Sequence, residues 1–144
     1  MKKFIIFTIA FAVLGTFMGN AQSIFGKWKT IDDETGNEKS IVEIYNVNGK
    51  AYAKVLQLLE KGKENKICDL CSGDKKNKPV KGMVIIDGLS QDGDEWNDGI
   101  ILDPKTGKEY KCYITLETNN KLKVRGYIGF SLLGRTQYWY KVAE

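Results

Sequence analysis

The residues best suited to chemistry are the three cysteines, two of which form a Cys68-x-x-Cys71 pair in a long polar segment. In an exported protein, this spacing favours a short-range disulfide that tightens a loop. Cys112 lies in an alternating stretch, where we expect a buried and unreactive thiol. The alternatives are a bridge from the pair to Cys112, free thiols, and zinc held by the thiolates with Asp69 or Asp74.

Catalytic constellations are scarce. The sequence contains no histidine, which excludes Ser-His-Asp and Cys-His catalysis and every histidine-based metal site. Ser131 lacks the glycine pattern of a nucleophile elbow, so we interpret it as a turn hydroxyl. An acidic group near one turn fits no calcium loop, and hairpin tips are commonly acidic. That group is Asp92, Asp94, Glu95 and Asp98. We expect no enzyme activity, no cofactor and no metal; the weak alternative is acid–base chemistry by Asp103 or Glu109, assisted by Arg125.

Residues 1–21 have the organisation of a cleaved secretory signal. Lys2 and Lys3 form a basic start, and the uncharged apolar run Phe4–Met18 follows. Small residues then precede an expected cleavage after Ala21, which would make Gln22 the mature N-terminus. A membrane anchor is the alternative, but the run is shorter than the roughly 20 residues that span a bilayer. The sequence therefore predicts a periplasmic or extracellular protein with no transmembrane segment in the mature chain.

The charge of the chain excludes one class of partner. Loss of Lys2 and Lys3 would lower the formal net charge from +4 by two, which is too weak a balance to indicate nucleic-acid binding. Lysines are concentrated in residues 61–81, where acidic residues interrupt them. We interpret this segment as a solvated loop, with contact to anionic lipid or polysaccharide as the alternative.

Runs of β-branched and aromatic residues with a period of two indicate strands between closely spaced turns. Asn48-Gly49 predicts a tight hairpin, and the segment from Asp103 to Gly107 predicts a type I turn followed by a left-handed glycine. Asp87-Gly88 and Asp92-Gly93 are interpreted as further turns. The predicted strands are Ile24–Ile31, Lys39–Tyr45, Ala51–Leu59, a run from Pro79 through Ile86, Trp96–Leu102, Tyr110–Glu117, Leu122–Tyr127 and Arg135–Val142.

The succession of short hairpins predicts one all-β domain, residues 22–144, built as an eight-stranded antiparallel up-and-down barrel. The strand that holds Gly26 and Trp28 would pair with the last strand and close the cylinder, which removes exposed edges. A Greek-key sandwich is the alternative. We expect the interior to be largely filled, with a small cavity at the mouth.

Several motifs spread over this domain carry a family resemblance. They are Gly26-x-Trp28, Cys68-Asp69-x-Cys71, Gly99-x-Ile101-Leu102-Asp103-Pro104-x-x-Gly107-x-x-Tyr110, Leu122-Lys123-Val124-Arg125-Gly126-Tyr127-Ile128-Gly129 and Leu132-Leu133-Gly134-Arg135-Thr136-Gln137-x-Trp139. The chain resembles a family of secreted bacterial proteins of unknown function, the domain-of-unknown-function family twenty-one forty-seven. That resemblance implies no particular activity.

A second resemblance is to the calycins, the lipocalin-like barrels, and it rests on Gly26, Trp28 and an arginine near the last strand. It implies a structural lock in which the glycine permits close passage of the chain and the tryptophan plugs the barrel base. Arg135 would stack over the indole, with Arg125 as the rival for that role.

Aromatic residues are spread over most predicted strands, and alternation must send some of them inward. Tyrosine and tryptophan combine a wide apolar face with a polar handle, which suits pockets as well as cores. The candidate ligand-lining residues are Tyr52, Tyr110, Tyr127 and Trp139. The sequence thus predicts a non-enzymatic barrel that binds a small, partly apolar molecule or a cell-envelope component. The alternative is a solid interaction module that acts through the segment from Cys68 to Lys78.

Overall fold

The structure, a computed structural model, describes residues 23–143, and within this range eight strands form a closed antiparallel barrel. The predicted signal peptide, its cleavage after Ala21 and the expected N-terminal Gln22 lie outside the described residues. The strands are β1 (Gly26–Ile31), β2 (Glu38–Val47), β3 (Lys50–Leu58), β4 (Val84–Asp92), β5 (Glu95–Asp103), β6 (Lys108–Thr118), β7 (Lys121–Tyr127) and β8 (Gly134–Lys141). One 3-10 turn, Gly73–Lys75, completes the elements of the described range.

The barrel closes where β1 pairs with β8, with Thr30 opposite Trp139 and Trp28 opposite Lys141. Every other strand pairs with its sequence neighbours, so the predicted up-and-down barrel is confirmed and the Greek-key alternative is wrong. Closure leaves none of these eight described strands with an unpaired edge.

Alternation of side chains builds the core. On β3, for example, Ala51, Ala53 and Val55 are buried, while Tyr52 and Lys54 between them are only half-buried. Successive strand residues point to opposite faces of the sheet, so a period of two in the sequence fills the barrel from every strand.

Strand β4 corrects one sequence-based prediction. Asp87-Gly88 was expected to end a strand as a turn, but β4 continues through both residues. Gly88 has φ 75°, and the register against β3 skips there, which marks a β-bulge. Because of the bulge, Ile86 and Leu89 both point into the core although they are three positions apart.

The connections at the two ends of the barrel differ in length. The closed end carries the short turns 48–49, 93–94 and 119–120. The open end carries the longer connections 32–37, 59–83, 104–107 and 128–133. Asn48 and Gly49 both have positive φ, as the predicted tight hairpin requires.

The longest connection is anchored by a disulfide. Cys68 and Cys71 are bonded, which confirms the predicted local pair, and Cys112 is free and buried. The Cys68 sulfur lies 3.4 Å from the carbonyl oxygen of Pro104, so the disulfide packs on the β5–β6 turn. Gly107 in that turn has φ 74°, and a Cβ there would collide with the carbonyl of Leu70. The turn and the disulfide segment therefore form one packed unit at the open end.

Candidate ligand cavity

The closed end of the barrel is plugged by Trp28. Its side chain is fully buried, and its indole nitrogen donates a 2.8 Å hydrogen bond to the carbonyl of Ile24. The ammonium group of Lys141 lies 4.8 Å from the centre of the indole ring and donates to the carbonyl of Phe25 at 3.0 Å. A Cβ on Gly26 would lie 2.7 Å from that ammonium group, so glycine allows the lysine to cross the chain here.

The cation above Trp28 is therefore Lys141, which corrects the expectation that Arg135 stacks on the indole. Strand β8 begins at the open end and reaches the closed end at Lys141, so Arg135 lies at the opposite end from Trp28. The guanidinium of Arg135 instead donates to both carboxylate oxygens of Asp33, at 2.9 and 2.7 Å, and to Glu34 at 3.1 Å. Hydrogen bonding to Asp33, opposed by slight desolvation, raises the pKa of Arg135 above its ordinary value.

Arg125, the rival candidate for the lock, is also remote from Trp28. Its Nε donates to the carbonyl of Ser131 at 2.6 Å, and its Nη1 donates to the hydroxyl of Thr136 at 2.8 Å. Arg125 thus fixes the connection between β7 and β8 at the open end. It has no contact that would make it part of the basal plug.

Above the plug, the barrel is hollow. A cavity of about 260 Å³ opens between the long connections of the open end. Apolar side chains from five strands form much of its wall: Val55, Ile85, Leu102, Val124 and Trp139. The expectation of a small mouth cavity is thus met by a volume close to the lower limit of typical ligand pockets, roughly 300 Å³.

Hydrogen-bonding groups lie within this apolar wall. The hydroxyls of Thr30 and Ser40 are buried and 2.7 Å apart, and both residues border the cavity. One hydroxyl donates to the other, so one donor and several lone pairs of the pair are left for a ligand. The side chain of Gln137 also borders the cavity, where its Oε1 accepts a 3.3 Å hydrogen bond from the indole of Trp139. The cavity therefore offers polar handles to a molecule that is otherwise apolar.

The four predicted ligand-lining aromatics have different positions. Tyr110 and Trp139 line the cavity, and Tyr127 borders it at the mouth while its ring lies 6.2 Å from that of Tyr113. Tyr52 is a correction: it lies between the buried Ala51 and Ala53, so alternation places it on the outer surface. There its ring stacks on Tyr45 with the ring centres 5.9 Å apart.

The rim of the cavity carries an excess of cations. Lys39, Lys66 and Lys105 border the opening, and none of them has an ion pair within 4 Å among residues 23–143. The pKa of Asp32 at this rim is lowered, first by the backbone hydrogen bonds from Glu34 and Thr35 and then by the lysine charges. Those two bonds, of 2.8 and 3.1 Å, commit the carboxylate to the β1–β2 turn.

A second acidic group at the rim is also engaged. Glu60 binds the ammonium group of Lys63 at 2.7 Å, and that hydrogen bond lowers the pKa of the Glu60 carboxyl. The charges of Lys39 and Lys66 act in the same direction. Five cationic and three acidic side chains line the cavity, so the rim has a net positive formal charge.

The residues of the acid–base alternative are not assembled into one cleft. Asp103 borders the cavity, but its carboxylate accepts hydrogen bonds from the backbone nitrogen of Lys105 and the hydroxyl of Thr106, both in its own turn. Glu109 borders a separate groove beside Cys71, and Arg125 is engaged with the β7–β8 connection. Within residues 23–143, no cluster of three or more cysteine, aspartate or glutamate side chains is placed to hold a metal ion. Burial raises the pKa of the Cys112 thiol to about 12, which keeps it protonated at neutral pH.

Sequence reasoning missed the contributions of Lys141, Gln137 and the rim lysines. The signal for Lys141 was available, because pairing of the first and last strands in antiparallel order places the end of β8 beside the start of β1. Gln137 lies two residues before Trp139 on β8 and so shares its strand face. It could therefore have been identified once Trp139 was assigned inward. Lys39 and Lys105 carry no local signal, since only the fold brings them to the opening beside Lys66, which lies in the lysine-rich segment 61–81.

Comparisons with known proteins agree with this architecture. The family model described as "Uncharacterized protein conserved in bacteria (DUF2147)" matches residues 26–141. Among solved structures, the chain is similar to protein HP1028 from the human pathogen Helicobacter pylori, which is described as belonging to the lipocalin family. The two chains are 22% identical, with a TM-score of 0.74 over 85% of this chain and 84% of the other. No curated protein gives a significant match.

Among residues 23–143, no helix has the length and apolar character needed to cross a membrane.

Proposed function

The chain belongs to the DUF2147 family of bacterial proteins, and from this premise we propose that it is an exported, non-enzymatic barrel that binds one small, partly apolar molecule. The observation that carries the proposal is the cavity of about 260 Å³ above the Trp28 plug. An interaction module with a solid core would not require this cavity, and a cavity in a core lowers the stability of the fold.

The composition of the cavity indicates the class of ligand. Its apolar wall favours a hydrocarbon or ring portion, and the Thr30–Ser40 hydroxyl pair supports at least one polar group on the ligand. The volume limits the ligand to a small molecule or to one end of a longer one. The unpaired lysines at the rim favour a negative charge on the part that faces solvent.

Two further observations support the proposal. HP1028, which shares the fold, is described as a member of the lipocalin family, and barrels of eight strands are wide enough to hold one small ligand. The Cys68–Cys71 disulfide supports export, because disulfides persist in oxidising compartments and are rare in the cytosol. Either the periplasm or the extracellular space would satisfy this condition.

Native mass spectrometry of the protein purified from its own host tests the proposal. We expect the wild-type protein to carry an additional mass that is released on denaturation. Val55→Phe fills the cavity from its wall and should abolish that mass while the barrel stays folded. Val42→Phe is the matched control, since Val42 is equally buried but does not border the cavity. There the larger ring overpacks the core and should cost about 1 to 3 kcal/mol in stability.

Two results together would count against ligand binding. The wild-type protein would carry no additional mass, and it would bind no apolar fluorescent probe that host lipid extract displaces. Equal destabilisation by Val55→Phe and Val42→Phe would also contradict it, because the hollow would then be absent in solution. Either result would favour the interaction module.

A further inference from the structure

The open end of the barrel exposes large apolar side chains to solvent. The five most exposed large hydrophobic residues of the described chain all lie there, one in the disulfide segment and four in the β7–β8 connection. They are Leu70 at 61%, Ile128 at 65%, Phe130 at 75%, Leu132 at 89% and Leu133 at 66% exposure. Exposed large apolar side chains that are concentrated at one end of a domain indicate an interaction site.

The connection that carries four of these residues, which we call the apolar finger (residues 128–133), has a fixed shape. Within it, the backbone nitrogen of Ile128 donates to Leu133 at 3.1 Å, and that of Leu133 donates to Phe130 at 2.9 Å. The guanidinium of Arg125 holds the carbonyl of Ser131 at 2.6 Å. Two internal backbone hydrogen bonds and one bond from Arg125 thus hold the finger, while its apolar side chains remain in solvent.

Cations surround the same opening. Ile128 and Leu133 border the cavity mouth together with Lys39, Lys66 and Lys105. The field of these lysines is evident in the lowered pKa of Asp32, to which Lys39 and Lys105 contribute after its backbone hydrogen bonds, and in that of Glu60. Apolar and cationic groups thus share one face of the molecule.

We propose that this face docks on the surface of a bilayer containing anionic lipids. The apolar finger would enter the boundary between headgroups and acyl chains, and the rim lysines would contact the headgroups. Apolar burial combined with attraction to anionic lipid is the general basis of interfacial binding. The rim supplies the charge complementarity, since Lys39, Lys66 and Lys105 have no ion pair within the described residues.

Docking in this orientation would place the cavity mouth on the membrane. An apolar molecule could then pass between bilayer and barrel without crossing water. The docking face shares the rim lysines with the cavity mouth, but Phe130 and Leu132 do not line the cavity. The docking inference therefore stands whether or not the cavity holds a ligand.

Flotation of the purified protein with lipid vesicles tests the inference. We expect binding to vesicles of equal parts phosphatidylglycerol and phosphatidylcholine, and weaker binding to phosphatidylcholine alone. The double substitution Phe130→Ser with Leu132→Ser should weaken binding about tenfold or more, because two apolar side chains no longer enter the bilayer. Val47→Ser is the matched control: it alters an exposed apolar residue beside the closed-end turn 48–49 and should leave binding unchanged.

The lysines are tested separately. The triple substitution of Lys39, Lys66 and Lys105 by Gln should remove the preference for phosphatidylglycerol, as should raising the ionic strength to about 1 M salt. Circular dichroism of each variant checks that the barrel is intact. Val55→Phe should bind vesicles as the wild type does, so failure of ligand binding and failure of docking are distinguishable.

Three outcomes would overturn the inference. The first is a wild-type protein that does not float with anionic vesicles, and the second is a finger variant that floats as well as the wild type. The third is a concentration-dependent dimer that the finger substitutions abolish, which would assign the patch to a second copy of the chain.

Discussion

The two ends of this barrel are built on different principles. At the closed end, two-residue turns join the strands, and aromatic side chains fill the space between them, with the rings of Phe25 and Trp96 in edge contact at 5.4 Å. At the open end, long connections surround a cavity, and apolar and cationic side chains face solvent. We therefore expect the closed end to contribute most to stability, and we propose that the open end supplies the surfaces for binding.

The comparison shows where stability and function separate within one small domain. The plug of Trp28 and Lys141 uses groups from both ends of the described chain, so it also secures the closure of the cylinder. The open end can remain hollow because the cost of its void is offset by packing elsewhere. Substitutions at the two ends should accordingly have different consequences.

The largest expected effect comes from emptying the plug. Trp28→Ala should lower the free energy of unfolding by about 3 to 5 kcal/mol, because the indole is fully buried and its removal leaves a cavity at the closed end. Chemical denaturation of the wild type and the variant measures this difference. Trp28→Phe, which refills most of the volume, serves as the control and should recover much of the loss. A loss below about 1 kcal/mol for Trp28→Ala would contradict the division between the ends.

The next effect tests whether water from the cavity reaches the buried thiol of Cys112. Burial raises the pKa of Cys112 from its ordinary value of 9.0 to about 12, so the folded state holds the thiol proton more tightly than the unfolded state. The resulting stability is fully present below pH 9.0 and is lost as the pH rises towards 12. Between these values the wild type should lose up to about 1.4 kcal/mol per pH unit relative to Cys112→Ala.

Denaturation of both proteins from pH 8 to about pH 10.5 measures the difference in slope, with the disulfide intact throughout. Tyrosine and lysine titrations are common to both proteins and cancel in the comparison. Parallel slopes would mean that Cys112 is hydrated in solution and that the cavity extends deeper than the structure places it.

The same division explains what the sequence could predict. The closed-end turns have local signals, such as the positive-φ pair Asn48-Gly49, and alternation assigns inward residues such as Ile114 and Val124 without tertiary knowledge. The fold and the local disulfide followed from such signals. The Asp87-Gly88 turn did not form, because pairing with both neighbouring strands can absorb a glycine of positive φ as a bulge.

The cavity was harder to predict than the fold. Tyr52 and Tyr110 are equally plausible wall residues by type. Alternation separates them, because Tyr52 shares a strand face with Lys54 whereas Tyr110 shares one with the buried Cys112. The resemblance to the calycins is what predicts Arg135 at the basal lock. The direction of β8 excludes that role, and an acidic turn far away in sequence provides the actual partner.

The smallest expected effects come from replacing two cations, Lys141 at the closed end and Arg135 at the open end. Lys141→Met removes the ammonium group above Trp28 and leaves the carbonyl of Phe25 without that donor, which should cost about 1 to 2 kcal/mol. Arg135→Met removes an ion pair that is largely exposed, and we expect a cost below about 1 kcal/mol.

Methionine keeps an unbranched apolar side chain at both positions, so the two variants differ mainly in which end loses its cation. Thermal unfolding at low and high salt distinguishes them, because only the exposed pair at the open end should be strongly screened. The reverse order of effects would contradict the division between the ends, since the larger loss would then come from the exposed pair at the open end.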